Sequence, residues 1–133
     1  MKRAYMKKGF RIIIARLGMD AHWRGSMVVA RALRDAGMEV IYLGNTMPEA
    51  IVQTAIQEDT DVIGLSTLSG NHMLLAPEVV RLLRKRDAED IAVVLGGSIP
   101  PNDIQSLKEI GIAEVFGPGS SLKHIIQFIQ GLK

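Results

Sequence analysis

Five short apolar segments, each followed by an amphipathic helical pattern, constrain the fold of this chain more than any other feature. The segments span residues 10–15, 40–43, 61–65, 91–95 and 113–116. Segments that are apolar almost throughout, such as 40–43 and 91–95, are typical of strands covered on both faces, as in parallel sheets. Alternating strands and helices with right-handed crossovers build a doubly wound α/β domain. We therefore predict a flavodoxin-like (Rossmann-like) five-stranded parallel sheet with strand order 2-1-3-4-5.

Residues that typically begin or end helices support this alternation of strands and helices. Gly37 is placed to end the first helix and Pro48 to begin the second. Pro77 is expected to limit how early the third helix begins, because proline disrupts a helix interior. Ser121 is expected to cap the last helix. Ligands bind at the carboxyl ends of the strands in such sheets, which directs attention to the loops at 16–25, 44–48, 66–72, 96–102 and 117–121.

Length and composition exclude several functions. A chain of 133 residues is too short for a TIM barrel, which needs about 250, so most of a large substrate site is expected on another chain. Aromatic residues make up only 5% of the chain, which disfavours a stacking surface for nucleic acid. The absence of cysteine excludes disulfides, thiolate metal sites and cysteine nucleophiles.

Basic residues are concentrated at the start of the chain. Residues 1–11 contain five of the 16 lysines and arginines and no acidic residue, whereas the rest contains 11 basic and 14 acidic residues. We predict a basic and flexible arm over residues 1–9, followed by one domain over 10–133. Such an arm either binds phosphates or an acidic partner, or remains solvated. With no apolar run of membrane-spanning length and no signal-peptide pattern, we expect a cytoplasmic protein with no membrane contact.

The sequence lacks the motifs that bind several of the ligands common in this fold. The first strand is not followed by G-x-G-x-x-G, and the chain has no Walker loop, so nucleotide sites of those types are disfavoured. A phospho-receiver needs an aspartate at the end of the third strand, where this chain has Leu65 and Ser66. The three histidines are not spaced as a metal-binding pair.

The loop after the first strand carries an aspartate two residues before a histidine, Asp20 and His22. In an extended segment these side chains point the same way, so the carboxylate is able to hold one ring nitrogen of the histidine. That bond would fix the tautomer and make the other nitrogen a better ligand or base. The alternative from this pair alone is an ordinary surface histidine in a polar loop.

Small residues occupy the ends of the later strands. They form the segments 66–70 (Ser-Thr-Leu-Ser-Gly), 96–97 (Gly-Gly) and 117–121 (Gly-Pro-Gly-Ser-Ser). Each segment alone is also compatible with ordinary turn chemistry. Together they surround one histidine with little bulk, which favours a deep slot for a large ligand over a charged catalytic cleft.

Three motifs in these loops resemble the signature of cobalamin-binding domains. D-x-H-x-x-G matches at Asp20, His22 and Gly25, S-x-L at Ser66 and Leu68, and G-G at residues 96–97. They follow strands one, three and four in the family's order. Segments 30–37, 58–64 and 114–119 also look like the cobalamin domain of methylmalonyl-CoA mutase. The resemblance covers residues 10–131, and the chain is similar to the small subunit of a two-subunit acyl-CoA mutase.

The resemblance implies roles for individual residues. His22 would be the lower axial ligand of cobalt, displacing the cofactor's dimethylbenzimidazole base, and Asp20 would hold its other ring nitrogen. The displaced nucleotide tail would enter a channel between the sheet and the first helix, where Ser66 hydrogen-bonds the base and Leu68 packs nearby. The implied cofactor-binding residues are Asp20, His22, Arg24, Gly25, Ser66, Leu68, Ser69, Gly70, Gly96, Gly97, Gly117, Gly119 and Ser120.

The resemblance also implies an activity and a partner. Adenosylcobalamin would supply radical chemistry that moves a group between adjacent carbons of an acyl-CoA. A barrel in a large subunit would bind the acyl-CoA and set which acyl group reacts. This chain would therefore be the cofactor-binding subunit of an isomerase, inactive alone, with no catalytic residue beyond the cobalt ligand.

Departures from the family pattern leave other assignments open. Arg16 stands where many members have lysine, Ala21 replaces a common glycine, and Trp23 replaces a polar residue. The small subunit of glutamate mutase shares the three motifs, but its other segments resemble this chain less. A corrinoid carrier for methyl transfer is a further alternative, although such carriers usually have a helical segment before the domain.

Overall fold

The computed structural model describes residues 10–17, 24–67, 72–117 and 119–132, with residues 24–26 and 72 described by their backbone alone. The predicted arm, residues 1–9, lies outside the described residues. No helix in the described ranges is long and apolar enough to cross a membrane.

Five parallel strands form one sheet in the order β2-β1-β3-β4-β5, as the apolar segments predict. Each predicted strand is present, with ends shifted by up to three residues. The strands are β1 (Arg11–Leu17), β2 (Glu39–Thr46), β3 (Val62–Thr67), β4 (Ala92–Gly97) and β5 (Glu114–Phe116). The helices are α1 (Arg24–Asp35), α2 (Pro48–Gln57), α3 (His72–Lys85), α4 (Pro101–Ile110) and α5 (Leu122–Gly131).

Helices cover both faces of the sheet, so alternate residues of each strand pack in two separate cores. Ile13 of β1 and Ile63 of β3 pack in the core under α2, α3 and α4. Ile12 and Val62, their sequence neighbours, pack in the core under α1 and α5. All five helices begin near the carboxyl ends of the strands, so this edge collects the loops that the sequence indicates as the functional ones.

Three of the helix ends follow the sequence signals and one does not. Helix α1 ends at Asp35, and Gly37 follows it with a φ of +98°. Pro48 is the first residue of α2, and the Ser121 hydroxyl accepts a 3.0 Å hydrogen bond from the backbone N–H of His124 at the start of α5.

The expectation that Pro77 limits the start of α3 is wrong, because the helix begins at His72 and contains this proline. A proline early in a helix removes only one backbone hydrogen bond, that to the carbonyl four residues before it. Packing of the following turns, including the buried residues Val79 and Leu83, outweighs this loss.

Candidate functional site

A cavity of about 370 Å³ lies between the sheet and the helices α1 and α5. Its described lining from the strands and the loop after β5 consists of Ile14, Gly64, Leu65, Ser66, Val94, Leu95, Gly96, Gly97, Phe116, Gly117 and Ser120. Its lining from the helices consists of Val28, Val29, Leu33, Leu122, Ile125 and Ile129. The volume is near the lower end of the range for small-molecule pockets, about 300–1,000 Å³. The cavity is therefore large enough to enclose a small organic group.

The cavity exists because the central strand lacks bulk on one face. Along β3, Val62 packs in the core under α1 and α5, and the next residues on that face are Gly64 and Ser66. Gly64 pairs in register with Ile14 and Val94 on its two neighbouring strands. A Cβ atom at Gly64 would lie 2.8 Å from the Cδ1 atom of Ile14. Any side chain at residue 64 would therefore push into the space between the sheet and the helices.

The two glycines that end β4 have different reasons for being glycine. Gly97 has a φ of +145°, and a Cβ atom there would overlap the carbonyl oxygen of Thr67 on β3. Gly97 is therefore required by the close approach of two strands. A Cβ atom at Gly96 would meet only ordinary contacts, at 3.8 Å from the Phe116 carbonyl oxygen and 4.0 Å from that of Leu65. Gly96 lines the cavity, so its missing side chain leaves room for a ligand.

The side chains in the described lining of the cavity are apolar except for the hydroxyl groups of Ser66 and Ser120. No charged side chain is among the described lining residues. A buried charge without a partner is costly, so this lining is suited to an uncharged, largely apolar group. The Phe116 ring forms part of the wall and is held by edge contacts with the rings of His124 and Phe128, at centroid distances of 5.6 and 5.7 Å.

One ion pair lies next to this wall. Lys108 Nζ is 2.7 Å from Glu114 Oε1, and the backbone N–H of Val115 donates to the same carboxylate at 3.0 Å. The hydrogen bond from Lys108 is the main cause that lowers the pKa of Glu114 below its usual value. The ionised pair fixes the end of α4 against β5, the strand that carries Phe116.

The structure brings together five of the residues that the sequence indicates. Ser66, Gly96, Gly97, Gly117 and Ser120 all line the cavity. Gly119 is exposed and is not among its described lining residues. Arg24 and Gly25 begin α1, whose following turns form one wall. The remaining predicted residues, Asp20, His22, Leu68, Ser69 and Gly70, lie outside the described residues, and so do the departures Ala21 and Trp23.

Sequence reasoning missed Gly64 and the apolar wall that faces it. Residues 28, 29 and 33 of α1 read as a stripe that packs on the sheet, since packing and ligand-lining stripes have the same periodicity. Small residues at alternate positions 64 and 66 of a buried strand are the signal that could have found the cavity. Within the described ranges, no group of three or more histidine or acidic side chains could hold a metal ion.

A family model, the B12 binding domain, matches residues 10–126. The chain belongs to the B12-binding domain family. This membership confirms the resemblance that the three loop motifs indicate, and it identifies cobalamin as the cofactor of this domain. The cavity lies between the sheet and α1, where the resemblance places the channel for the cofactor's tail.

Curated relatives of this B12-binding domain include separate small subunits. The 2-hydroxyisobutanoyl-CoA mutase small subunit of Aquincola tertiaricarbonis is 46% identical over 123 residues, covering 92% of this chain and 90% of the relative. The pivalyl-CoA mutase small subunit of Xanthobacter autotrophicus is 40% identical, covering 92% of this chain and 82% of the relative. Methylmalonyl-CoA mutase of Escherichia coli is 41% identical across 92% of this chain, which spans only 17% of that longer protein.

Solved structures confirm the fold of this B12-binding domain. A cobalamin-binding protein from Desulfitobacterium hafniense superimposes with a TM-score of 0.81 at 21% identity, covering 95% of this chain and 60% of that one. The receiver domain of the response regulator NarL from Mycobacterium tuberculosis has a TM-score of 0.73 at 17% identity, covering 92% of this chain and 94% of that one. At such identities the likeness extends to the fold alone. Leu65 and Ser66 occupy the end of β3, where a phospho-receiver needs an aspartate.

Proposed function

We propose that this B12-binding domain is the cofactor-binding small subunit of an adenosylcobalamin-dependent acyl-CoA mutase. The observation that carries the proposal is its identity of 46% and 40% to two acyl-CoA mutase small subunits over at least 82% of their lengths. The same domain also occurs in methylmalonyl-CoA mutase, of which the matched region is 17%. The expected cytoplasmic location and the basic arm over residues 1–9 remain predictions.

The volume and apolar lining of the cavity support its assignment to the base of cobalamin's nucleotide tail. Gly64 and Gly96 leave space that any Cβ atom would reduce, and the surrounding side chains are aliphatic or aromatic. We assign the tail's base to this cavity, with the Ser66 hydroxyl donating a hydrogen bond to its free ring nitrogen. Ser120 and the turn from Gly117, closed by a 3.1 Å hydrogen bond from the Ser120 N–H to the Gly117 carbonyl, lie at the edge of the cavity.

His22 is the proposed axial ligand of cobalt, and Asp20 is the proposed partner of its second ring nitrogen. Leu68, Ser69 and Gly70 are proposed to line the tail beyond Ser66, and Arg24, Gly25 and Gly119 to border the cofactor. When bound, adenosylcobalamin supplies the radical chemistry of the rearrangement. This chain's residues would hold the cofactor's cobalt through His22 and keep water from its tail.

A large subunit is the proposed partner, with a barrel that binds the acyl-CoA. The described exposed large apolar side chains all lie at or within five residues of a helix start, at the carboxyl edge of the sheet: Met27, Val28, Met47, Met73, Leu74 and Leu122. Exposed apolar side chains that form a patch mark sites of association, so we place the contact with the large subunit at this edge. A partner covering this edge would enclose the cofactor between the two chains.

Electron paramagnetic resonance of bound, reduced cobalamin tests the axial ligand. Protein made with ¹⁵N-labelled histidine is expected to convert the nitrogen hyperfine pattern from triplet to doublet, because the nuclear spin of the ligand changes. His22→Ala is expected to abolish the effect of the label, whereas His124→Ala, which removes a histidine from α5, is expected to retain it. A pattern insensitive to the label would refute the assignment of His22.

Reconstitution tests the activity. The chain mixed with the large subunit from the same source and adenosylcobalamin is expected to isomerise at least one acyl-CoA of a branched-chain panel. Neither chain alone should do so. Turnover by this chain in isolation would refute the division of roles between the two subunits.

A further inference from the structure

Methionines make up half of the described exposed large apolar side chains at the carboxyl edge of the sheet. Met27 in the first turn of α1, Met47 immediately before α2 and Met73 in the first turn of α3 are 47%, 54% and 41% exposed. Met38, the fourth methionine among the described residues, lies between α1 and β2 at the opposite edge and is 5% exposed in the core under α1 and α5. The three exposed thioethers therefore share the edge at which we place the contact with the large subunit.

Thioethers are the only sulfur groups of this chain, because it contains no cysteine. Hydrogen peroxide oxidises a thioether to a sulfoxide. A lone pair on sulfur attacks one peroxide oxygen, the O–O bond breaks, an S–O bond forms, and the second oxygen leaves as water. Sulfur loses two electrons and the peroxide gains them. An apolar side chain becomes a polar one that accepts hydrogen bonds, with little change in size.

We propose that Met27, Met47 and Met73 are oxidation sites through which peroxide reversibly blocks association with the large subunit. The inference rests on the proposed function, since the large subunit is the partner that would cover these side chains. A sulfoxide oxygen buried in an apolar contact loses its hydrogen bonds to water without replacement. In the free chain the sulfoxides stay in water, so oxidation weakens the contact and leaves the fold intact. Sulfoxide reductases restore the thioether, which makes the block reversible.

Peptide mass spectrometry of the full chain after treatment with hydrogen peroxide tests the sites. Met27, Met47 and Met73 should each gain one oxygen atom well before Met38, because the core keeps peroxide away from Met38. A complex with the large subunit, formed before the treatment, should slow oxidation of the three exposed residues severalfold. Oxidation of Met38 as fast as the other three, or equal rates in the free chain and in the complex, would overturn the proposal.

Biolayer interferometry with the immobilised large subunit tests the effect on association. The chain is oxidised, freed of peroxide with catalase and only then loaded with adenosylcobalamin. The oxidised chain should bind more weakly by about tenfold or more, which is about 1.4 kcal/mol. Methionine sulfoxide reductases with a thiol should restore the affinity. Equal affinity of the oxidised and untreated chains would overturn this proposal alone, whereas failure of the untreated chain to bind would refute the proposed partner as well.

Leucine variants distinguish these sites from the methionines outside the described residues, Met1, Met6 and Met19. Leucine has about the volume of methionine and forms no sulfoxide. The measured quantity is the ratio of affinities before and after peroxide within each variant. It should stay near one when the three exposed methionines are leucine together, and fall as in the parent for the control Met38→Leu, which changes a buried methionine. A loss as large as the parent's in the triple variant, or resistance of Met38→Leu, would overturn the proposal.

Discussion

Gly97 and Thr67 are paired at the carboxyl ends of β4 and β3, and a Cβ atom at Gly97 would overlap the carbonyl oxygen of Thr67. The φ of +145° at Gly97 is also one that residues with a side chain rarely adopt. Gly96 has neither restriction and instead leaves space in the cavity. The two glycines of one motif therefore have different structural reasons: the first leaves space in the cavity, and the second allows β3 and β4 to approach closely.

We predict that alanine lowers a different property at each of these two positions: stability at Gly97 and cobalamin binding at Gly96. Gly97→Ala should lower the free energy of unfolding by more than about 2 kcal/mol, because strain and steric overlap add. Gly96→Ala should change it by less than about 1 kcal/mol but weaken cobalamin binding, since the added methyl occupies the cavity. Urea denaturation and a cobalamin titration of both variants measure these effects. Equal stability of the two variants would contradict the distinction.

The sequence predicts the sheet well because parallel strands leave a local signal. Segments such as 91–95 are apolar throughout, and this pattern depends on burial from both faces rather than on any distant partner. The cavity leaves no such signal in the helices. Val29 and Leu33 show the same stripe whether they pack on a side chain or face an empty space, and Gly64 across the sheet decides which occurs. Pro77 misled the prediction because tertiary packing outweighed one lost backbone hydrogen bond.

The N-terminal cap of α5 should contribute measurably to stability. The Ser121 hydroxyl accepts from the His124 N–H at 3.0 Å, and the buried Ile125 and Ile129 of this helix form one wall of the cavity. Ser121→Ala is expected to cost about 0.5–2 kcal/mol of unfolding free energy, and Ser121→Asp to retain most of it. Ser106→Ala, inside α4, is the control and should not destabilise, since alanine favours helix interiors. Thermal denaturation of the three variants checks this, and an unchanged melting temperature for Ser121→Ala would contradict it.

The Lys108–Glu114 pair predicts a pH dependence of stability. The pKa of Glu114 is lowered chiefly by its hydrogen bond from Lys108, with the Val115 N–H and the charge of His124 acting in the same direction. A lowered carboxyl pKa stabilises the folded state above the usual value of about 4.5, and this contribution is lost as the pH falls through the lowered pKa. Glu114→Gln should therefore cost up to about 1 kcal/mol at pH 7, the scale of partly exposed pairs, and progressively less below pH 4.5.

Urea denaturation of the Glu114→Gln variant and the parent chain at several pH values measures this difference. Glu109→Gln removes a carboxylate from the exposed side of α4, where its described contact is a 3.2 Å hydrogen bond from Gln105. This control should be close to the parent at each pH. A difference for Glu114→Gln that grows toward low pH would have the wrong sign and would disprove the assignment.

Leu74 provides the sharpest test of the proposed contact with a large subunit. Its side chain is 73% exposed in the first turn of α3, and Met47 before α2 and Met73 beside it are 54% and 41% exposed. Leu74→Glu should leave the fold intact, because the side chain is outside both cores, but weaken association with the large subunit by about tenfold or more. That factor corresponds to burying an unpaired charge in an apolar contact, at about 1.4 kcal/mol or more.

Gln57→Glu adds the same charge at the opposite end of α2 and should associate normally. Biolayer interferometry with the immobilised large subunit compares the two variants. Unchanged affinity for Leu74→Glu, or equal loss for Gln57→Glu, would place the partner elsewhere on the domain.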